Sequence, residues 1–142
     1  MVPCLASRCE RVGKWRQDTG GAIIGPMRIH HLAFRCPDYA ATTRFYIDVL
    51  GMRVVSETPG YSTWLALGGG VLMIEQASEG EKGPDPTSLR FVAFHREDLP
   101  GDLEERLAAA GVLIEDRTGY TIYFRDPDGR RIGASTFPLQ SL

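Results

Sequence analysis

Three histidines and one carboxylate at the end of an apolar run are the places where this sequence could do chemistry. His31 follows His30 in the segment RIHHLAFRC. Its imidazole can coordinate a metal, donate a hydrogen bond to a ligand, act as a general base, or simply bond a carboxylate across a sheet. Glu75 closes the run Val71-Leu72-Met73-Ile74. A carboxylate there is costly to bury unless it is paired, and His31 is its natural partner. Glu75 would then orient the imidazole. His30 has the opposite strand parity and is expected to face away. His95 belongs at a cleft rim or in solvent. Arg35 and Arg131 can hold an anionic ligand or sit as solvated strand ends. Met73, Phe91, Trp64 and Tyr123 can line an apolar pocket or pack as ordinary core. Asp126 and Asp128 look like an acidic pair but read as turn residues. The chain carries no Gly-rich phosphate loop with Lys, no GxSxG and no Cys/His nucleophile pairing.

The elements that position these residues follow from periodicity. Arg28–Cys36 alternates as a strand, and Pro37-Asp38 stops it, with Asp38 the expected helix N-cap. Thr42, Phe45, Tyr46, Val49 and Leu50 recur at helical spacing, with Gly51 at the C′ position. Strands are expected over about Arg53–Thr58, Ser62–Leu67 and Val71–Ala77, separated by Pro59-Gly60 and Gly68-Gly69-Gly70. Glu79–Pro86 is polar and rich in Gly and Pro, so it reads as a linker. The pattern then restarts. Leu89–His95 is a strand, Asp98 a cap, and Leu99, Leu103, Leu107 and Ala110 a helical stripe ended by Gly111. Strands follow at about Val112–Asp116, Tyr120–Arg125 and Arg131–Thr136, the last two joined by Asp126-Pro127-Asp128-Gly129.

The halves repeat. His31-Leu32-Ala33-Phe34 precedes Phe91-Val92-Ala93-Phe94 by 60 residues, as Asp38 precedes Asp98 and Gly51 precedes Gly111. Three landmarks at one offset mark two β-α-β-β-β units. The fold class is α+β: tandem units over 27–78 and 88–137, joined by a linker over 79–87, with paired curved mixed sheets around a cleft. Residues 1–26 read as a disordered tail, and Met27 is a possible true start. The 142 residues carry 16 Lys+Arg and 18 Asp+Glu, a net charge of -2 that gives no footprint for nucleic acid. No apolar run approaches the ~18 residues that span a membrane. Cys4, Cys9 and Cys36 fit no zinc spacing and read as reduced thiols in a cytoplasmic protein.

The stretches MRIHHLAFRCPDY, FYIDVLGM, VLMIEQ, LRFVAFHREDL and YFRDPDGRRI resemble the vicinal-oxygen-chelate superfamily, the glyoxalase / bleomycin-resistance / extradiol-dioxygenase group. That resemblance implies two curved sheets around a cleft, a homodimer, and one divalent metal held by the first and last strands of each unit. Its ligand positions are implied to fall on His31 and Glu75 in unit one. In unit two they fall on Phe91 and Gly133, where His and Glu are usual. One imidazole and one carboxylate are fewer ligands than catalytic zinc or non-haem iron sites employ.

Three functions follow as expectations. The first is a small-molecule binding protein with an incomplete metal site, holding no metal or a weakly held divalent one. Its ligand is lined by Phe91, Trp64, Met73, Tyr123, Arg131 and Gly133. The second is a metal-dependent lyase, isomerase or dioxygenase using His31 and Glu75. The third is a cofactor-free enzyme using the same pair as acid and base. Neither nucleic acid nor membrane is an expected partner.

Overall fold

A computed structural model of the chain describes residues 27–96 and 101–139. The expected tail over 1–26 and the Asp98 cap lie outside the described residues. Strand β1 (His31–Cys36) leads through the Asp38 cap into helix α1 (Tyr39–Arg44), which widens into a π-helical turn over Phe45–Val49. The Asp38 carboxylate accepts from the Ala41 amide at 3.0 Å, satisfying one donor of the helix start. At the other end Leu50 N–H reaches back to Phe45 C=O at 3.2 Å, and Gly51 turns the chain at φ +71°. Strands β2 (Val54–Thr58), β3 (Ser62–Leu67) and β4 (Gly70–Gln76) complete the first unit. The second unit has β5 (Phe91–His95), helix α2 (Gly101–Ala109), β6 (Asp116–Arg117), β7 (Thr121–Arg125) and β8 (Arg131–Ser135).

Each unit is a four-stranded mixed sheet, ordered β1-β4-β3-β2 and β5-β8-β7-β6. In both, the first strand runs parallel to the last and the remaining pairs are antiparallel. The tandem β-α-β-β-β plan expected from the sequence is therefore present. Three local expectations differ. β1 begins at His31 rather than Arg28. β6 is reduced to two paired residues, because Val112 and Ile114 leave the ladder to pack against the core. Ala110 is exposed, so only Leu103 and Leu107 of the described stripe are buried.

Alternation along the strands decides where the core sits. Phe34 and Cys36 of β1, Leu72 and Ile74 of β4, Phe94 of β5, Phe124 of β7 and Ile132 of β8 all turn to one buried side. That side is common to both units. Tyr46 lies edge-on to Phe94 at 6.5 Å, Phe45 tilts against Phe124 at 6.3 Å, and the Arg130 guanidinium stacks 4.1 Å from the Phe34 ring. Each fully buried Leu or Ile contributes about 1.5–3 kcal/mol through loss of apolar surface. The units are thus joined through their helix-bearing sides. The paired mixed sheets expected from the sequence are present, and this packing leaves the opposite face of each sheet open to line a cleft. Among the described residues, no helix is long and apolar enough to cross a membrane.

Candidate functional site

The open face of the first sheet carries the odd-numbered residues of β1 and β4 in rows across the strands. The first row sets His31 beside Val71 and Ala66. The second runs Ala33, Met73, Trp64 and Ser56. The third sets Arg35 beside Glu75 and Ser62. The second sheet repeats this layout. Its first row is Phe91, Arg131 and Arg125; its second is Ala93, Gly133, Tyr123 and Asp116; its third is His95, Ser135 and Thr121.

His31 and Glu75 share a face, as parity requires, but not a row. His31 pairs with Val71, and Glu75 lies four residues further along β4, about 13 Å at the rise of a strand. Each has another partner. The His31 Nδ1 lies 3.0 Å from Nδ1 of His30. Glu75 accepts from Arg35 at 3.4 Å, and Arg35 also bonds both oxygens of Glu81 at 2.9 and 3.0 Å. This network holds the Glu81 carboxyl below its ordinary range, mainly through the Arg35 hydrogen bond, and raises the Arg35 guanidinium in turn. The expected His31–Glu75 pair is therefore corrected: the register gives Glu75 to Arg35, with Glu81, unmarked in the sequence reading, closing the other side.

Row positions also correct the equivalence between units. Ala33–Met73 in the first sheet corresponds to Ala93–Gly133 in the second, each at an offset of 60. The twin of Gly133 is Met73, and the twin of Glu75 is Ser135. A thioether, a phenyl ring and a glycine thus stand at three of the four matched positions, with His31 alone bringing a nitrogen donor. Thioether sulfur suits soft ions such as Cu(I), not the borderline and hard divalent cations that imidazole and carboxylate hold. Among the described residues, no group of three or more His, Cys, Asp and Glu side chains gathers as a metal shell. The residues present do not fit a resident divalent metal.

The structure does bring the remaining predicted side chains together, by sheet. Trp64 and Met73 are adjacent in one row, and Trp64 is 37% exposed. On the other sheet Phe91, 46% exposed, meets Tyr123 edge-on at 4.9 Å. The Arg131 guanidinium lies 4.4 Å from the Tyr123 ring centre and 5.6 Å from that of Phe91. Gly133 forms the floor beside them. A Cβ built there would stand 3.1 Å from Ala93 Cβ and 3.4 Å from Thr121 Cγ2, so the absence of a side chain lets the strands approach. Asp126 and Asp128 serve the hairpin, as expected. Asp126 accepts from the amides of Asp128 and Arg130 at 3.0 and 2.9 Å, and from Arg130 Nη1 at 2.8 Å. Arg35, in contrast, is committed to carboxylates rather than offered to a ligand.

Residues 28–133 match the Glyoxalase/Bleomycin resistance protein/Dioxygenase superfamily. The uncharacterized protein YaeR of Escherichia coli (strain K12) is 29% identical over 122 residues, 75% of this chain and 94% of its own. The virulence protein STM3117 of Salmonella typhimurium is 30% identical over 121 residues, 78% of this chain and 84% of its own. Its crystal structure matches with a TM-score of 0.59, covering 79% of this chain and 98% of that one at 29% identity. The fosfomycin resistance protein FosX of Listeria monocytogenes matches with a TM-score of 0.67 over 81% of this chain and 94% of its own. At 18% identity, that last likeness shows the fold alone.

Proposed function

The chain belongs to the Glyoxalase/Bleomycin resistance protein/Dioxygenase superfamily, and from that premise we propose that it is a cytoplasmic small-molecule binding protein. It works as a homodimer and needs no resident metal. The observation that carries this reading is the composition of the open rows. Trp64 and Met73 on one sheet, with Phe91 and Tyr123 on the other, present apolar and aromatic surface where metal ligands would have to converge. Binding sites of this kind are mostly apolar with a few placed polar groups, here His31 and Arg131.

Homodimer formation supplies the missing wall. Each sheet of one chain has an open face, and a two-fold axis would lay the first sheet of one copy against the second sheet of its partner, making two identical clefts. The alternative reading, a metal-dependent lyase, isomerase or dioxygenase, and the acid–base reading both need His31 and Glu75 to act on one centre. Their separation along β4 supports neither.

Two measurements test the reading. Metal analysis of untagged protein is expected to give substoichiometric divalent metal; a full equivalent that disappears in His31→Ala would overturn it. Sedimentation at micromolar concentration is expected to give about twice the 15.7 kDa chain mass, and a monomer throughout would remove the second wall.

A further inference from the structure

At the end of the second sheet where β5 and β8 begin, Pro84 and Asp85 of the linker border an open cavity of about 380 Å³. Its wall includes Ser88, Arg90, Phe91, Arg130 and Arg131, with Asp85 as its carboxylate. Phe91 and Arg131 also form the first open row of that sheet, so the cavity continues the binding face described above. We infer that this cavity takes the anionic group of the ligand, a carboxylate or a phosphate, through Arg90 and Arg131, while the apolar body of the same ligand lies on Phe91 and Tyr123. The inference rests on the small-molecule reading and names the chemical class of its ligand.

Four observations carry it. Arg131 is 9% exposed, and its Nε makes no hydrogen bond, the nearest acceptor being Glu115 Oε2 at 3.4 Å. A buried donor that makes no hydrogen bond is costly, and a ligand oxygen would satisfy it. Its neighbours hold it loosely. Leu89 C=O accepts at 3.4 Å, Glu115 lies 3.4 Å away and Asp116 3.7 Å, all longer than a charge-assisted bond of about 2.7–2.9 Å. The Arg131 guanidinium stands over the Tyr123 ring at 4.4 Å, a contact that limits its freedom before any ligand arrives. Arg90 is exposed, and among the described residues its guanidinium has no partner.

The other charges on the wall are already engaged. Arg130 is bound by Asp126 at 2.8 Å and Asp128 at 3.0 Å. Asp85 accepts from the Thr87 amide at 2.8 Å and its hydroxyl at 2.7 Å. Arg90, the loosely paired Arg131 and the Ser88 hydroxyl are therefore what the wall offers an anion. Each guanidinium is a planar fork, which suits oxyanions able to accept two parallel hydrogen bonds.

The test uses three probes of one shape on the full chain: 2-naphthyl phosphate, 2-naphthoate and uncharged 2-naphthol. Binding is followed by NMR shifts of the Phe91 and Ala93 amides and the Trp64 indole. At least one of the two anions is expected to bind about tenfold tighter than 2-naphthol, the ratio of one charge-assisted hydrogen bond. Arg90→Gln, an exposed change, is expected to remove most of that advantage and leave 2-naphthol unaffected, and Arg131→Gln is expected to remove most of it as well. Equal binding of the three probes, or full anion preference in Arg90→Gln, overturns the inference. If 2-naphthol binds and anions gain nothing, only the anion site fails. If none of the probes moves the Phe91, Ala93 and Trp64 signals, the small-molecule reading fails with it.

Discussion

The Tyr46 hydroxyl donates to Oδ2 of Asp126 at 2.9 Å, joining the first unit's helix to the second unit's hairpin across 80 residues of chain. The Asp126 side chain is wholly buried, and the Arg130 guanidinium completes its coordination. The carboxylate thus serves both the turn and the seam between units. Tyr46→Phe is expected to cost about 1–3 kcal/mol of unfolding free energy, the loss of one hydrogen bond to a buried charge. Asp126→Ala is expected to cost more, about 3–5 kcal/mol, because it takes one of two carboxylates from the buried Arg130 and leaves the turn amides of Asp128 and Arg130 without their acceptor. Denaturant unfolding measures both, and a Tyr46→Phe protein as stable as wild type would show that the bond contributes nothing.

Cys36 predicts an alkaline limit. Burial pushes its thiol from an ordinary 9.0 up to about 11, against the smaller opposing pull of Arg130. The folded state therefore keeps a proton that the unfolded state releases between pH 9 and 11. Stability should fall across that window as pH rises. Burial also raises the Tyr46 hydroxyl above its ordinary value, steepening the fall at the upper end. Unfolding curves of wild type and Cys36→Ala through this range test the cause. The variant should show a shallower loss, and identical slopes would exonerate the thiol.

His31 and Glu75 should behave as independent residues. With about 13 Å of strand between them and separate partners, changes at the two sites are expected to add within about 0.5 kcal/mol in stability. The measurement is a cycle of His31→Ala, Glu75→Gln and the double variant. A larger coupling would mean that the β1–β4 register differs from the one described.

Gly133 is a packing position before it is anything else. Gly133→Ala is expected to destabilise by about 1–3 kcal/mol, as overpacking does, because its Cβ meets Ala93. Adding Ala93→Gly should restore part of the loss. Thermal unfolding of the single and double variants checks this, and an undiminished melting temperature in Gly133→Ala would show the strands free to part. Any attempt to install a carboxylate at Gly133 beside Phe91→His has to relieve the same contact first.

The two units were legible in the sequence because their landmarks are local: Asp38 as a cap, Gly51 and Gly111 as helix ends, and Gly129 in its hairpin at φ +85°. Parity was legible too, and it placed His31, Met73, Glu75, Phe91 and Arg131 on open faces. Position along the strand was not. β1 and β4 are parallel and joined through a helix and two other strands, so nothing local sets their register. The family resemblance puts the ligand position at Glu75, where the paired strands put Met73 opposite Ala33 as Gly133 stands opposite Ala93. The seam was hidden for a related reason. Tyr46 with Asp126, and Phe34 under Arg130, are long-range contacts whose members each look ordinary in their own segment. Val112 and Ile114 alternate like a strand, yet packing on the core claims them instead of the ladder.

Since the units are fused through their helix-bearing sides, cohesion and recognition occupy opposite surfaces of the same sheets. Phe34, Leu72, Ile132 and their neighbours answer for folding, while most of the next residues along the same strands answer to whatever arrives from outside. A lineage built on such a chain can exchange an imidazole for a phenyl ring at a position like Phe91, or a carboxylate for a thioether at one like Met73, without redrawing its interior. Gly133 is the exception: there an outward-facing position is also a close strand contact, and drift at that residue is harnessed to drift at Ala93.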